Sequence, residues 1–124
     1  MEHSAGFLRL AEDARRRVSE TTPAAAHTRI TGTEGARLID VREDHEWDAG
    51  RAAGATHMSR GIIERDIERL VPDKAAELIL YCGGGYRSAL ACDNLQKMGY
   101  TNVHSMAGGW TAWTDAGLPT ETER

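Results

Sequence analysis

Between residues 37 and 106 the chain alternates short apolar runs with longer stretches whose apolar residues recur every three or four positions. RLIDV (37–41) and ELILYC (77–82) are short and nearly continuously apolar, the pattern of a parallel strand buried on both faces. GATHM (54–58) and NVHSM (102–106) read as shorter strands of the same kind. The periodic stretches read as helices. Residues 60–73 set Ile63, Ile67, Leu70 and Val71 on one face and stop at Pro72, and residues 87–100 do the same with Ala91, Leu95 and Met98, ending at Gly99. Shorter helices are predicted over 42–50, closed by Gly50, and over 108–117. Ahead of them, Thr22 followed by Pro23 is an N-cap with proline at the first helical position, opening a helix over 22–30. Residues 5–18 form an amphipathic helix with Phe7, Leu10, Ala11, Ala14 and Val18 on one side and arginines on the other. That helix either docks on the domain or offers its face to a partner or a membrane surface. Strands alternating with helices require parallel strands joined by right-handed crossovers, hence an α/β three-layer domain. In such sheets ligands sit beyond the carboxyl ends of the strands, and Cys82 ends the most apolar one.

Composition narrows this picture. A chain of 124 residues suits one domain, and its net charge of −4 is spread over both halves without a basic stripe for nucleic acid. No apolar run approaches a membrane span, and the first residues lack the order of a secretion signal, so a cytoplasmic address is expected. Cys82 and Cys92 then read as reduced thiols rather than a disulfide. His3, His27, His45, His57 and His104 show no ligand spacing, so no metal is expected.

The candidate chemistry lies in CGGGYRS, residues 82–88. A strand, a glycine-rich loop and a helix start form an anion trap, because backbone N–H groups converge and the positive helix end adds its partial charge. Gly83, Gly84 and Gly85 can adopt positive φ and permit the curl. A thiol at the mouth of that cradle is favoured as its thiolate and becomes a nucleophile. Arg87, at the start of the helix, can fork onto the oxygens of an anionic substrate. Ser88 can cap the helix or donate to the same anion, and Tyr86 shapes the pocket mouth. Cys92, mid-helix between Ala91 and Asp93, reads as a packed side chain. Asp40 and Arg42 flank a strand end on the same rim. Arg42 either adds positive potential to the pocket or serves the scaffold. Glu46, one turn beyond Arg42, is placed to pair with it. Trp47, Trp110 and Trp113 read as core or rim packing.

On these residues the sequence resembles the rhodanese family of single-domain sulfurtransferases. CGGGYR matches the family's six-residue active-site loop, and LIDVRE (38–43), GATHM and MAGGWTAW (106–113) stand in the family's order. AGRAAGA departs from the family's usual Gly-His-Ile-x-Gly-Ala, with Arg51 and Ala52 in place of His and Ile. The resemblance implies a central, mostly parallel five-stranded sheet flanked by helices, with a rhodanese-like domain over 18–119, an N-terminal helix over 1–17 and a flexible tail over 120–124. It implies that Cys82 takes the sulfane sulfur of thiosulfate or a related small anionic donor as a persulfide. A thiophilic acceptor, cyanide or a cellular thiol or a partner protein, then removes it. Gly83 to Ser88 would hold the sulfur and Arg87 the donor's sulfonate, with no cofactor, and Asp40, of the family's Asp-x-Arg pair, would tie the strand end to neighbouring loops. Two alternatives stand beside this reading: a persulfide-carrying or redox-regulatory module, and a phosphatase or arsenate reductase of the same fold. The latter's loop has five residues between Cys and Arg and a preceding His, where this chain has four and Tyr81.

Overall fold

The computed structural model describes residues 2–33 and 35–122. In chain order the elements are α1 (Ala5–Arg15), β1 (Ser19–Thr21), α2 (Pro23–Thr31), β2 (Arg37–Asp40), α3 (Asp44–Ala49), β3 (Arg51–Ala52) and β4 (Thr56–His57), followed by α4 (Ile63–Leu70), β5 (Leu78–Tyr81), α5 (Tyr86–Lys97), β6 (Val103–Met106), α6 (Gly109–Asp115) and β7 (Thr120–Glu121). Five strands form one sheet in the order β1-β6-β5-β2-β4, and every pairing in it is parallel. The sheet predicted as mostly parallel is therefore wholly parallel.

The apolar run of β5 feeds two cores at once, because successive side chains of a strand point to opposite faces. Leu78, Leu80 and Cys82 join Ile39, Val41, Ile63, Ile67 and Leu95 on the face covered by α4 and α5. Ile79 and Tyr81 join Leu38, Ala26 and Trp113 on the face covered by α2 and α6. This two-sided burial holds the carboxyl end of β5, and with it Cys82, at the middle of the sheet.

Several boundaries depart from the sequence reading. β1 was not expected, since Ser-Glu-Thr carries no apolar signal; it is an edge strand defined by its register on β6, Ser19 beside His104. α4 starts at Ile63 rather than near 60, because Ser59 closes a turn first, its carbonyl accepting from the Ile62 and Ile63 amides at 3.0 and 3.1 Å. Thr120–Glu121, assigned to a flexible tail, pair antiparallel with β3; residues 123 and 124 lie outside the described residues. The N-terminal helix ends at Arg15 rather than at Val18, which packs on the core from the turn that follows, and it rests on α5. Ala11 and Ala14 are buried, and Arg17 just beyond forks onto Asp93 at 3.0 and 2.8 Å. No helix among the described residues is long and apolar enough to cross a membrane.

Candidate active site

β5 delivers Cys82 to the carboxyl edge of the sheet, and residues 83–85 turn the chain into α5. The Gly85 amide donates to Cys82 Sγ at 3.1 Å, and Ser88 Oγ lies 3.6 Å from the same sulfur. Ser88 is itself bonded to Ser105 Oγ at 2.8 Å, and both serines are buried. The sulfur therefore faces a backbone N–H, a hydroxyl oxygen and the amino end of a twelve-residue helix. Of the three glycines only Gly85 has positive φ, +107°, as the N-cap of α5; Gly83 and Gly84 need no left-handed conformation, contrary to the sequence reading. A Cβ at Gly83 would meet Arg87 Nη2 at 3.0 Å, so this glycine makes room for the arginine.

The loop is held from behind by α6. The Trp110 amide donates to the Cys82 carbonyl at 2.7 Å and the Thr111 amide to the Gly83 carbonyl at 3.2 Å. This approach requires Gly109, whose φ is +54° and whose Cβ would lie 2.2 Å from the Cys82 oxygen. Sequence reasoning used this glycine pair only as a family mark and missed that it positions Cys82 and its loop. The available signal was two consecutive glycines between a strand and a helix, where side chains are disfavoured.

Arg87 and Glu46 form a two-pronged pair across the loop, Nη1 to Oε1 at 2.8 Å and Nη2 to Oε2 at 3.1 Å. Glu46 also accepts from the Glu43 amide at 2.9 Å, at the start of α3. The expected partner Arg42 is engaged elsewhere, which corrects that pairing. Arg42 is buried with its guanidinium on Asp40, at 2.8 to 3.1 Å, and on the Gly50 carbonyl at 2.7 Å. Its cation lies 4.8 Å from the Trp110 ring centroid. Asp40 further accepts from the Arg42 amide and, at 2.7 Å, from Tyr81 Oη. Asp40, Arg42 and Tyr81 thus lock the ends of β2 and β5 together, and Arg42 belongs to the scaffold. A cleft of about 380 Å³ over the loop is lined by Gly83, Gly84, Arg87, Glu46, Trp110 and His3, among others.

The guanidinium of Arg87 holds the Glu46 carboxyl down, from 4.5 to about 2. A carboxylate with a depressed folded-state pKa stabilises the fold above its unfolded value and loses that contribution as the pH falls through the folded one. Glu46→Gln is therefore expected to melt lower than the parent at pH 7, with the gap closing between pH 4.5 and 2; paired thermal melts check this.

Tyr86 is edge-on to His3 and Phe7, at centroid distances of 5.1 and 6.0 Å, so the N-terminal segment forms one wall at the loop. Trp113 is fully buried, and Trp47 stacks on His57 at 4.9 Å. Cys92 is buried within the same core as Cys82, and burial pushes its thiol well above the ordinary range. That makes it a poor nucleophile and fits a packed side chain.

A family model described as a rhodanese-like domain matches residues 22–116. The thiosulfate sulfurtransferase GlpE of Actinobacillus succinogenes is 36% identical over 104 residues, covering 84% of this chain and 91% of that one. The polysulfide-sulfur transferase homodimer of Wolinella succinogenes superposes with a TM-score of 0.82 at 27% identity, over 96% of this chain and 89% of that one. A Rhodopseudomonas palustris protein described as a possible tyrosine phosphatase superposes with the same TM-score at 29% identity, over 98% of each chain.

Proposed function

The chain belongs to the rhodanese-like domain family, and from that premise we propose that it is a sulfurtransferase moving a sulfane sulfur from thiosulfate or a related donor to cyanide or a cellular thiol. The observation that carries this reading is Cys82 Sγ receiving the Gly85 N–H at the start of α5. The Cys82 thiolate attacks the outer sulfur of thiosulfate, the S–S bond breaks, and sulfite leaves with the bonding pair. The product is a Cys82 persulfide. A thiophilic acceptor then attacks the outer sulfur, forming thiocyanate from cyanide and returning the thiolate. The extra sulfur carries negative charge, so the Gly85 N–H, the Ser88 hydroxyl and the end of α5 assist both halves of the cycle. The proposed setting is the cytoplasm, where thiols stay reduced. Polysulfide, named for the Wolinella relative, is among the related donors. A phosphatase reading fits less well, since only four residues separate Cys82 from Arg87.

Two half-reactions through a covalent enzyme predict ping-pong kinetics, with parallel double-reciprocal lines for thiosulfate and cyanide; intersecting lines would speak against the covalent cycle. Arg87 is proposed as the cation for the donor's oxygens. Arg87→Ala should raise the KM for thiosulfate roughly tenfold or more, the scale of a lost charge-assisted hydrogen bond, with a smaller effect on kcat. An unaltered KM would make this arginine purely structural.

A further inference from the structure

We propose that Glu46 is a specificity-determining residue for sulfur transfer, because it occupies the guanidinium fork of the loop's arginine that an oxyanionic donor would need. The inference rests on the proposed persulfide reaction and goes beyond it by ranking donor classes. Both terminal nitrogens of Arg87 are engaged by one carboxylate, at 2.8 and 3.1 Å. A carboxylate and a sulfonate present the same pair of acceptor oxygens to a guanidinium fork. A donor such as thiosulfate must therefore compete with a carboxylate already tethered on α3 beside the loop. The pair lies at the reacting centre, since the cleft over Gly83 and Gly84 is lined by Glu46 and Arg87 together.

The surrounding charges act in the same direction. Glu2, Glu43, His3 and His45 border the outer cleft that Glu46 and Arg87 share, which adds two further carboxylates. Arg42, on the same rim, is buried on Asp40 and Gly50, and Arg15, over the Tyr86 ring, is paired with Glu12 and Glu20. An incoming dianion thus meets an arginine already neutralised and a mouth of net negative charge. A donor without an oxyanion needs no cation and meets no such competition. For an alkyl persulfide, which has no oxygens for a guanidinium fork and reacts as RSSH, the Cys82 thiolate takes the outer sulfur, the S–S bond breaks, and the alkyl thiolate leaves with the bonding pair. For thiosulfate the same attack releases sulfite. The two donors load the same persulfide and differ in what Arg87 must do for the leaving group.

Steady-state transfer to cyanide by the parent and by Glu46→Gln, with thiosulfate and with 2-hydroxyethyl persulfide as donors, tests this. Glutamine keeps the volume and an acceptor for the Glu43 amide while removing the charge. The KM for thiosulfate should fall by about fivefold or more, the scale of one close charge near a protein surface. The KM for the alkyl persulfide, at most a monoanion with no oxygens for Arg87 to fork onto, should move by less than about twofold. Glu43→Gln, at an exposed position, removes another negative charge acting on Arg87 while glutamine keeps an acceptor oxygen for the capping box that Glu43 forms with Glu46. It should lower the thiosulfate KM by about twofold, a smaller effect at longer range. An unchanged thiosulfate KM in both variants overturns the proposal. So does an equal loss of kcat/KM for both donors in Glu46→Gln, which would mean that Glu46 only shapes the loop. Intact mass of the parent after each donor separates these failures from failure of the reaction itself, since no Cys82 persulfide would then form with either.

Discussion

Cys82→Ser is expected to lose sulfur transfer by at least about a thousandfold while keeping the fold, because only the thiolate is nucleophilic enough at neutral pH and only sulfur can form the persulfide. The substitution is nearly isosteric. Its hydroxyl can take over the Gly85 N–H that donates to Sγ, and Ser88 and Ser105 offer further hydroxyls nearby. The melting temperature should therefore stay within about 5 °C of the parent, since hydrogen bonding replaces the little apolar burial that is lost. Thiosulfate–cyanide assays with melting curves on both proteins check this. Retained transfer in a folded variant would remove Cys82 from its role.

Gly109→Ala is expected to have the largest effect on the loop from outside it. The added methyl would sit 2.2 Å from the Cys82 carbonyl oxygen and 2.9 Å from the Gly83 carbonyl carbon. Backbone atoms cannot swing aside as a side-chain tip can, so α6 has to withdraw. Withdrawal breaks the Trp110 bond to Cys82 and the Thr111 bond to Gly83, at 2.7 and 3.2 Å. The left-handed φ of +54° adds its own penalty for an alanine. Together these should cost about 2–4 kcal/mol and lower the melting temperature by about 6–15 °C, with a larger fall in activity because the nucleophile moves. Gly117→Ala is the internal control. Its φ is +71° but nothing lies within 4 Å of the new methyl, so only the conformational penalty remains. Equal effects of the two alanines would mean that close packing at Gly109 does not matter.

The parts of the fold legible in the sequence are those where one strand feeds two cores. ELILYC announces β5 because Leu78, Leu80 and Cys82 face one layer and Ile79 and Tyr81 the other. β1 and β7 are short, polar and exposed, so they carry no periodic signal and exist only through register on β6 and β3. The site divides in the same way. Cys82, the glycine loop and Ser88 are local in sequence, and their chemistry follows from a strand-to-helix turn. The partners that position them are remote. Gly109 reaches the loop from α6, and Glu46 reaches Arg87 from 41 positions away. A spacing argument within one helix favoured Arg42 for Glu46, but burial of Arg42 on Asp40 removed that partner.

The central claim is that Cys82 carries sulfur, and intact mass tests it most directly. The protein is weighed as prepared, after thiosulfate and after subsequent cyanide, with Cys82→Ser alongside. A gain of about 32 Da on the parent alone, removed by cyanide, is the predicted result, since it records one sulfur joined to and released from a thiolate. No gain on the parent with thiosulfate, polysulfide or an alkyl persulfide would contradict the account, as would an equal gain on the serine variant.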